Sequence, residues 1–84
     1  MIELTIEQMR KKIDKIDAKI LSLIEERVQV AKKIGESKRR NKQPIYDNKR
    51  EGEIIGNLTS KTGLNKKFVR KIFESIIQYC RENE

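Results

Sequence analysis

The sequence predicts an all-α chain of three helices, the first of which is very long. Apolar residues recur at alternating spacings of three and four from Ile6 to Ile34, which is the pattern of a heptad stripe on one helix. The only proline, Pro44, lies in a polar stretch that separates this stripe from two shorter helical patterns. With 84 residues, of which 39% are charged and 5% aromatic, we expect a single domain over residues 1–84 with a modest aliphatic core.

The first helix is predicted to begin after Thr5, because Thr5 and Gln8 form a T-x-x-Q capping box, and to run to about Lys38. At ~1.5 Å per residue, such a helix is roughly 50 Å long. A compact chain of this size has a radius of gyration of only about 12 Å, so the helix must protrude from its own chain. Because its apolar stripe then needs a partner, we expect an obligate dimer.

Residues 39–46 are expected to form the linker to a second helix, which Asp47 can cap. Gly52 and Gly56 lower helix propensity by roughly 1 kcal/mol each, so they mark either a close approach between helices or a mobile element. Gly63 is predicted to end this segment in the left-handed conformation. The apolar residues expected on the inner side of the second helix are Ile54, Ile55 and Leu58.

A third helix is predicted to begin after Asn65, and its apolar stripe ends at Cys80. On an apolar face, a cysteine is most often a small core residue. As the only cysteine, Cys80 cannot form an internal disulfide, which favours a reducing, cytoplasmic location. No apolar run is long enough for a signal peptide or a membrane span, so we expect no membrane association.

The charge of the chain favours an anionic partner. Lysine and arginine outnumber aspartate and glutamate by 20 to 13, a net charge of +7, which suits a nucleic acid, a membrane surface or a small acid. The absence of histidine excludes histidine-based acid–base chemistry and histidine-ligated metals, and one cysteine cannot form a zinc cluster. We therefore expect no metal and no cofactor.

The most informative residue is Arg27, which occupies a position of the apolar stripe where an aliphatic side chain is expected. An arginine stays charged at any ordinary pH, so its burial requires a compensating anion. That anion is either a carboxylate of the chain, such as Glu51, or a small ligand bound between helices. Lys38 lies on the same face at about 16 Å, where it either helps to grip such a ligand or belongs to a solvated basic tail.

Five further residues are candidates for the same site. Asp47, Arg50 and Glu51 share one face of the first turn of the second helix, either as a polar cluster or as ordinary helix-end electrostatics with a salt bridge. Arg10 flanks the apolar stripe and is otherwise a surface residue. Glu84 follows Cys80 by four positions and belongs either to a site or to a frayed end.

In order and spacing, these segments resemble the all-helical AroQ-class (type II) chorismate mutases over essentially the whole chain. Each short motif alone is weak, whereas their succession is specific. The matching segments are residues 9–17 (MRKKIDKID), residues 20–27 (ILSLIEER), Lys38, residues 44–51 (PIYDNKRE), Gly63-Leu64 and residues 72–77 (IFESII).

The resemblance implies an intertwined homodimer with two equivalent active sites that convert chorismate to prephenate, without a cofactor, in phenylalanine and tyrosine biosynthesis. It assigns Arg10 and Arg27 to the two carboxylates of chorismate and Lys38 to its ether oxygen. About 25 Å of helix separates Arg10 from Arg27. Both can therefore bind one ligand only if Arg10 comes from the other subunit.

The resemblance also implies that Glu51, with the backbone near Asp47, holds the ring hydroxyl of chorismate and that Arg50 supports the site. The chain departs from the family where the third helix commonly offers serine and, four residues later, glutamine, because Cys80 and Glu84 stand there. Cys80 is a poorer hydrogen-bond donor, and Glu84 must carry its proton to donate to the ether oxygen.

Three other functions remain open from the sequence. An isochorismate pyruvate lyase shares this fold and substrate type, although the intact Asp47-x-x-Arg50-Glu51 motif favours the mutase. A helical-dimer nucleic-acid-binding module suits the basic run at residues 38–42, but no helix-turn-helix pattern is present and Arg27 lies in the stripe. A plain coiled-coil dimer leaves Arg27 unexplained.

Overall fold

The computed structural model describes residues 3–84, which contain three α-helices. Helix α1 spans Ile6–Arg40, α2 spans Asn48–Ser60 and α3 spans Lys66–Glu82. No strand occurs between residues 3 and 84, so the predicted all-α class is confirmed. No helix in this range is long and apolar enough to cross a membrane.

The capping box predicted at the start of α1 is present. The Oγ1 atom of Thr5 accepts a hydrogen bond from the Gln8 backbone N–H at 3.1 Å, and Gln8 Oε1 accepts one from the Thr5 backbone N–H at 2.9 Å. Helix α1 continues to Arg40, slightly beyond the predicted end near Lys38. Lys42 then adopts a positive φ of 56°, which turns the chain away from the helix axis.

Both shorter helices begin at the predicted caps. Asp47 Oδ1 accepts a hydrogen bond from the Arg50 backbone N–H at 3.0 Å, and Asn65 Oδ1 accepts one from the Phe68 backbone N–H at 3.0 Å. The predicted left-handed conformation of Gly63 is wrong, since no glycine of the described chain has a positive φ. Helix α2 already ends at residue 60, so it needs no left-handed residue at position 63.

Helix α3 is the central element of the fold. It packs against both α1 and α2, whereas α1 and α2 do not pack against each other within residues 3–84. The molecule measures 60 × 24 × 17 Å, and its long dimension follows from the 35 residues of α1. The buried apolar residues of this small core are Ala31, Ile55, Val69, Ile77 and Cys80.

The first half of α1 carries an apolar stripe that its own chain leaves uncovered. Every residue from Ile6 to Leu23 is exposed, and these two residues are each 64% exposed. A continuous apolar stripe of roughly 27 Å is far more than the scattered surface aliphatics of an ordinary monomer, and such patches mark interfaces. The intervening members of the stripe are Met9, Ile13, Ile16 and Ile20.

Glu84 lies close to α1 at Gly35, which is buried. A Cβ atom at Gly35 would lie 2.7 Å from Cβ of Glu84 and 2.9 Å from its carbonyl carbon, which is closer than non-bonded carbon atoms pack. A Cβ atom at Gly52 or Gly56 would meet nothing within 4 Å. Gly52 and Gly56 therefore do not mark a close approach between elements of the described chain. The close approach occurs at Gly35, where Glu84 lies against α1.

We expect Gly35→Ala and Gly56→Ala to change stability differently. Replacing an exposed helical glycine by alanine stabilises a protein by roughly 1 kcal/mol, so Gly56→Ala should raise the free energy of unfolding by that amount. At Gly35 the contact with Glu84 should cancel or reverse this gain. Urea unfolding at matched protein concentration measures both changes, and equal stabilisation by the two substitutions would contradict the close contact.

Candidate active site

A cavity of about 260 Å³ lies where α1, the α1–α2 linker, α2 and α3 meet. Part of its wall is apolar, with Ala31 from α1, Ile54 from α2 and Ile77 from α3. The fold brings seven of the eight site residues predicted from the sequence to this one cavity. They are Arg27, Lys38, Asp47, Arg50, Glu51, Cys80 and Glu84.

The eighth predicted residue, Arg10, does not line this cavity. It is exposed on the first half of α1, about 25 Å along the helix from Arg27. Within one chain, Arg10 and Arg27 therefore cannot hold the same small ligand, as their spacing in the sequence predicted.

Arg27 is half-buried and is held from α3 by Cys80. Its Nη1 atom donates a hydrogen bond to Cys80 Sγ at 2.9 Å. The alternative expectation, an ion pair between Arg27 and Glu51, is wrong, because the only salt bridge found in the described chain joins Glu51 to Arg81. A thiol satisfies one of the five N–H donors of a guanidinium, so the other donors of Arg27 remain available to a ligand in the cavity.

Lys38 is fixed in the cavity wall rather than free in a solvated tail. Its Nζ atom donates a hydrogen bond at 3.0 Å to the backbone carbonyl of Ile45, in the linker. The side chain is half-buried as a result. An ammonium group has three donors, and those not used by Ile45 can serve a ligand.

The start of α2 contributes Asp47 and Arg50 to the cavity, and the two side chains differ in their contacts. The Asp47 carboxylate caps the helix through the Arg50 backbone N–H, so the expected helix-end role of Asp47 is confirmed. The Arg50 side chain is exposed, lines the cavity and forms no ion pair within residues 3–84. Arg50 is thus a second guanidinium that a ligand can reach.

Sequence reasoning missed Arg81. Its Nη1 atom lies 2.9 Å from both carboxylate oxygens of Glu51, and its guanidinium carbon lies 4.5 Å from the centroid of the Tyr46 ring. The pair joins residues 30 positions apart on two helices, so no helical spacing could reveal it. Its position directly after Cys80 was the only signal in the sequence.

Glu84 forms part of the cavity wall and is held there by main-chain contacts. Arg39 donates a hydrogen bond to the main-chain oxygen of Glu84, and the lack of a side chain at Gly35 leaves room for Glu84 against α1. The Oε2 atom of Glu84 is buried, and no group of the described chain hydrogen-bonds to it. A buried polar atom without a partner is costly, so this carboxyl group is suited to interact with a bound ligand.

The charges that remain uncompensated in the cavity are mainly positive. Its cationic members are Arg27, Lys38 and Arg50, and its acidic members are Asp47, Glu51 and Glu84. Asp47 is engaged at the N-terminus of α2, and the charge of Glu51 is balanced by Arg81. The arrangement therefore favours a small anion.

These features define a class of all-helical proteins that hold a small anion among basic side chains and can act on it by positioning and electrostatics. Within that class, the family model for chorismate mutase type II matches residues 9–84, and the chain belongs to this family.

Relatives with sequence similarity include stand-alone and bifunctional proteins. The chain is 40% identical over 75 residues to a chorismate mutase of Methanocaldococcus jannaschii, covering 86% of this chain and 76% of that protein. It is 38% identical over 79 residues to a bifunctional chorismate mutase/prephenate dehydratase of Aquifex aeolicus, covering 92% of this chain and 21% of that protein. The chain thus spans about a fifth of the length of the bifunctional relatives it matches.

The fold is shared with a solved chorismate mutase of Thermus thermophilus. Its form I structure matches with a TM-score of 0.86 and 31% identity, covering 89% of this chain and 96% of that one. These relatives favour neither the lyase nor the nucleic-acid-binding hypothesis.

We expect Arg27→Met to raise the stability of the protein. Arg27 is half-buried without a carboxylate partner in the described chain, so an apolar side chain of similar length should raise the free energy of unfolding by about 1 kcal/mol. Lys33→Met, at an exposed position of the same helix, is the matched control and should change stability by less than about 0.5 kcal/mol. Thermal unfolding at matched concentration compares them, and a clear loss of stability in Arg27→Met would assign Arg27 a structural role.

Proposed function

We propose that the chain is a chorismate mutase, which converts chorismate to prephenate on the route to phenylalanine and tyrosine. The observation that carries this proposal is the convergence of Arg27, Lys38 and Arg50 on one cavity of about 260 Å³. Membership of the type II family and similarity to the Methanocaldococcus protein support the same activity.

Chorismate carries two carboxylates, one on its ring and one on its enolpyruvyl arm, and the cavity offers cations for such a dianion. The planar fork of Arg27 suits bidentate binding of one carboxylate. Lys38, held by the Ile45 carbonyl, would donate to the ether oxygen that joins arm and ring. Glu51 would accept the hydrogen bond of the ring hydroxyl, with the backbone near Asp47 as its neighbour.

The rearrangement breaks the C–O bond between ring and arm while a C–C bond forms between them. It is unimolecular and needs no nucleophile, so the protein contributes by folding the arm over the ring and by stabilising the negative charge that develops on the ether oxygen. Lys38 and a protonated Glu84 are the donors proposed for that oxygen. Removing one such fixed donor typically costs ~2.7–4 kcal/mol, about 10²–10³-fold in rate.

The proposed working form is an intertwined homodimer with two shared sites. The exposed apolar stripe from Ile6 to Leu23 would pack against the second chain, which would bring Arg10 of the partner subunit to the second carboxylate of the ligand. The single cysteine is consistent with the cytoplasmic location that we propose. The basic character of the chain would draw in the dianion.

The direct test of the proposed function is the loss of chorismate absorbance on adding purified protein, with the product identified by chromatography. We expect prephenate, and we expect Arg27→Ala to reduce kcat/KM by at least about 100-fold while Lys33→Ala stays near the wild type. Release of pyruvate instead would identify a lyase. A folded protein that consumes no chorismate would refute the enzyme assignment.

Mixing two inactive variants should restore activity if each site is shared. Arg10→Ala and Arg27→Ala homodimers should both be nearly inactive, whereas a mixed dimer keeps one site with Arg27 from one chain and Arg10 from the other. Refolding the variants together at equal concentration makes half of the dimers mixed, so we expect about a quarter of the wild-type activity. Mixed dimers that form, as judged by mass spectrometry, but remain inactive would contradict the shared site.

Glu84→Gln should alter the dependence of activity on pH. A carboxyl group helps the ether oxygen only while it carries its proton, whereas the amide of glutamine donates at every pH. The ratio of kcat/KM in the variant to that in the wild type should therefore rise as the pH rises. Glu82→Gln, at an exposed position near the same end of α3, is the control, and a constant ratio for Glu84→Gln would make Glu84 a bystander.

A further inference from the structure

Glu51 lies between the cavity and a second, shallow groove on the other side of α2 and α3. It lines both, whereas Arg81 lines only the groove. Arg81 therefore reaches the Glu51 carboxylate from behind, at 2.9 Å from each oxygen, and takes up no space in the cavity.

Arg81 is itself held in place by the linker. Its guanidinium lies over the Tyr46 ring at 4.5 Å, which is a favourable cation–π distance. The Tyr46 hydroxyl in turn donates a hydrogen bond at 3.1 Å to Oδ1 of Asn48, the first residue of α2. A single side chain of α3 thus connects the linker, α2 and the acid that α2 presents to the cavity.

The negative charge of Glu51 explains why an arginine behind it matters for ligand binding. A carboxylate facing a cavity for a dianion repels that ligand, and an unanchored one also samples other rotamers. An arginine behind the carboxylate balances the charge and fixes the side chain without competing for the ligand. With side-chain exposures of 31% and 25% for Arg81 and Glu51, the pair is partly shielded from water and from salt screening.

We infer that Arg81 is a positioning residue of the active site, which acts on the substrate through Glu51. The inference rests on the proposed function and extends it to a residue outside the cavity. Arg81 orients the Glu51 carboxylate toward the ring hydroxyl and lowers its repulsion of the two substrate carboxylates. Loss of the Arg81 side chain should therefore weaken substrate binding more than it slows the reaction of the bound substrate.

The first experiment compares Arg81→Gln with Arg70→Gln in steady-state assays with chorismate. Arg70 lies on the same helix and lines the same groove, but it has no ion pair in the described chain. We expect Arg81→Gln to lose about 10- to 100-fold in kcat/KM, the loss that a displaced binding group can cause, and mainly through KM. Arg70→Gln should stay within about twofold of the wild type.

A second set of variants tests whether Arg81 acts through Glu51. In a Glu51→Gln background, Arg81→Gln should cost less than about twofold further, because the charge to be oriented is gone. Arg81→Lys keeps the charge but lacks the planar fork, so it should recover most of the activity and leave only a small rise in KM. If Arg81→Gln does not fold, Arg81→Lys is compared in the two backgrounds instead, and its rise in KM should disappear in the Glu51→Gln background.

The outcomes separate the inference from the proposed function. An active wild type with an unaffected Arg81→Gln would overturn the inference alone, as would an equal loss with and without the Glu51→Gln substitution. A loss confined to kcat, with KM unchanged, would do the same. A wild type that does not consume chorismate would overturn both.

Discussion

The length of α1 constrains the rest of the molecule. Its 35 residues extend about 52 Å, and residues 3–23 are all exposed, because α2 and α3 are too short to cover them. The chain cannot bury the apolar stripe on the first half of α1 by itself. The length of the helix also keeps Arg10 away from the cavity. A second chain that covers the stripe would also bring its own Arg10 to the cavity. The proposed dimer would therefore both bury the stripe and complete the site.

The second half of α1 carries a charge in place of an aliphatic side chain. Arg27 is half-buried, and the one hydrogen bond that its side chain makes within residues 3–84 goes to Sγ of Cys80. Of the three acids that line the cavity, Glu51 is paired with Arg81 and Asp47 caps α2, whereas Glu84 has a carboxylate oxygen without a partner in the described chain. Arg27, Lys38 and Arg50 thus outnumber the one acid that is not engaged elsewhere, so the cavity keeps an excess of positive charge until an anion binds. We expect such a site to lower the free energy of unfolding of the unliganded protein, as functional sites often do.

The elements that the sequence predicted well depend on local patterns. The caps at Thr5, Asp47 and Asn65 follow from the hydrogen bonds that a short polar side chain makes within its own turn. The convergence of seven site residues was predicted through the family resemblance. Helical spacing alone placed Arg27 and Lys38 on one face of the first helix and Asp47, Arg50 and Glu51 on one face of the second, but it did not bring the two sets together.

What the sequence did not predict depends on contacts between distant segments. The close approach of Glu84, which lies beyond the end of α3, leaves no room for a Cβ atom at Gly35. Arg81 of α3 contacts Glu51 of α2. Neither contact has a characteristic spacing. The left-handed conformation predicted for Gly63 was wrong because α2 already ends at Ser60, so Gly63 is not the residue that terminates the helix.

The shared site is tested most directly by a crystal structure of the protein with prephenate bound. We expect two chains wound around each other, with each ligand contacted by Arg27 of one protomer and Arg10 of the partner subunit. We also expect the Glu51 carboxylate to remain paired with Arg81 while it accepts a hydrogen bond from the ring hydroxyl of the ligand. A ligand whose two carboxylates are both held by residues of a single chain would contradict the shared site.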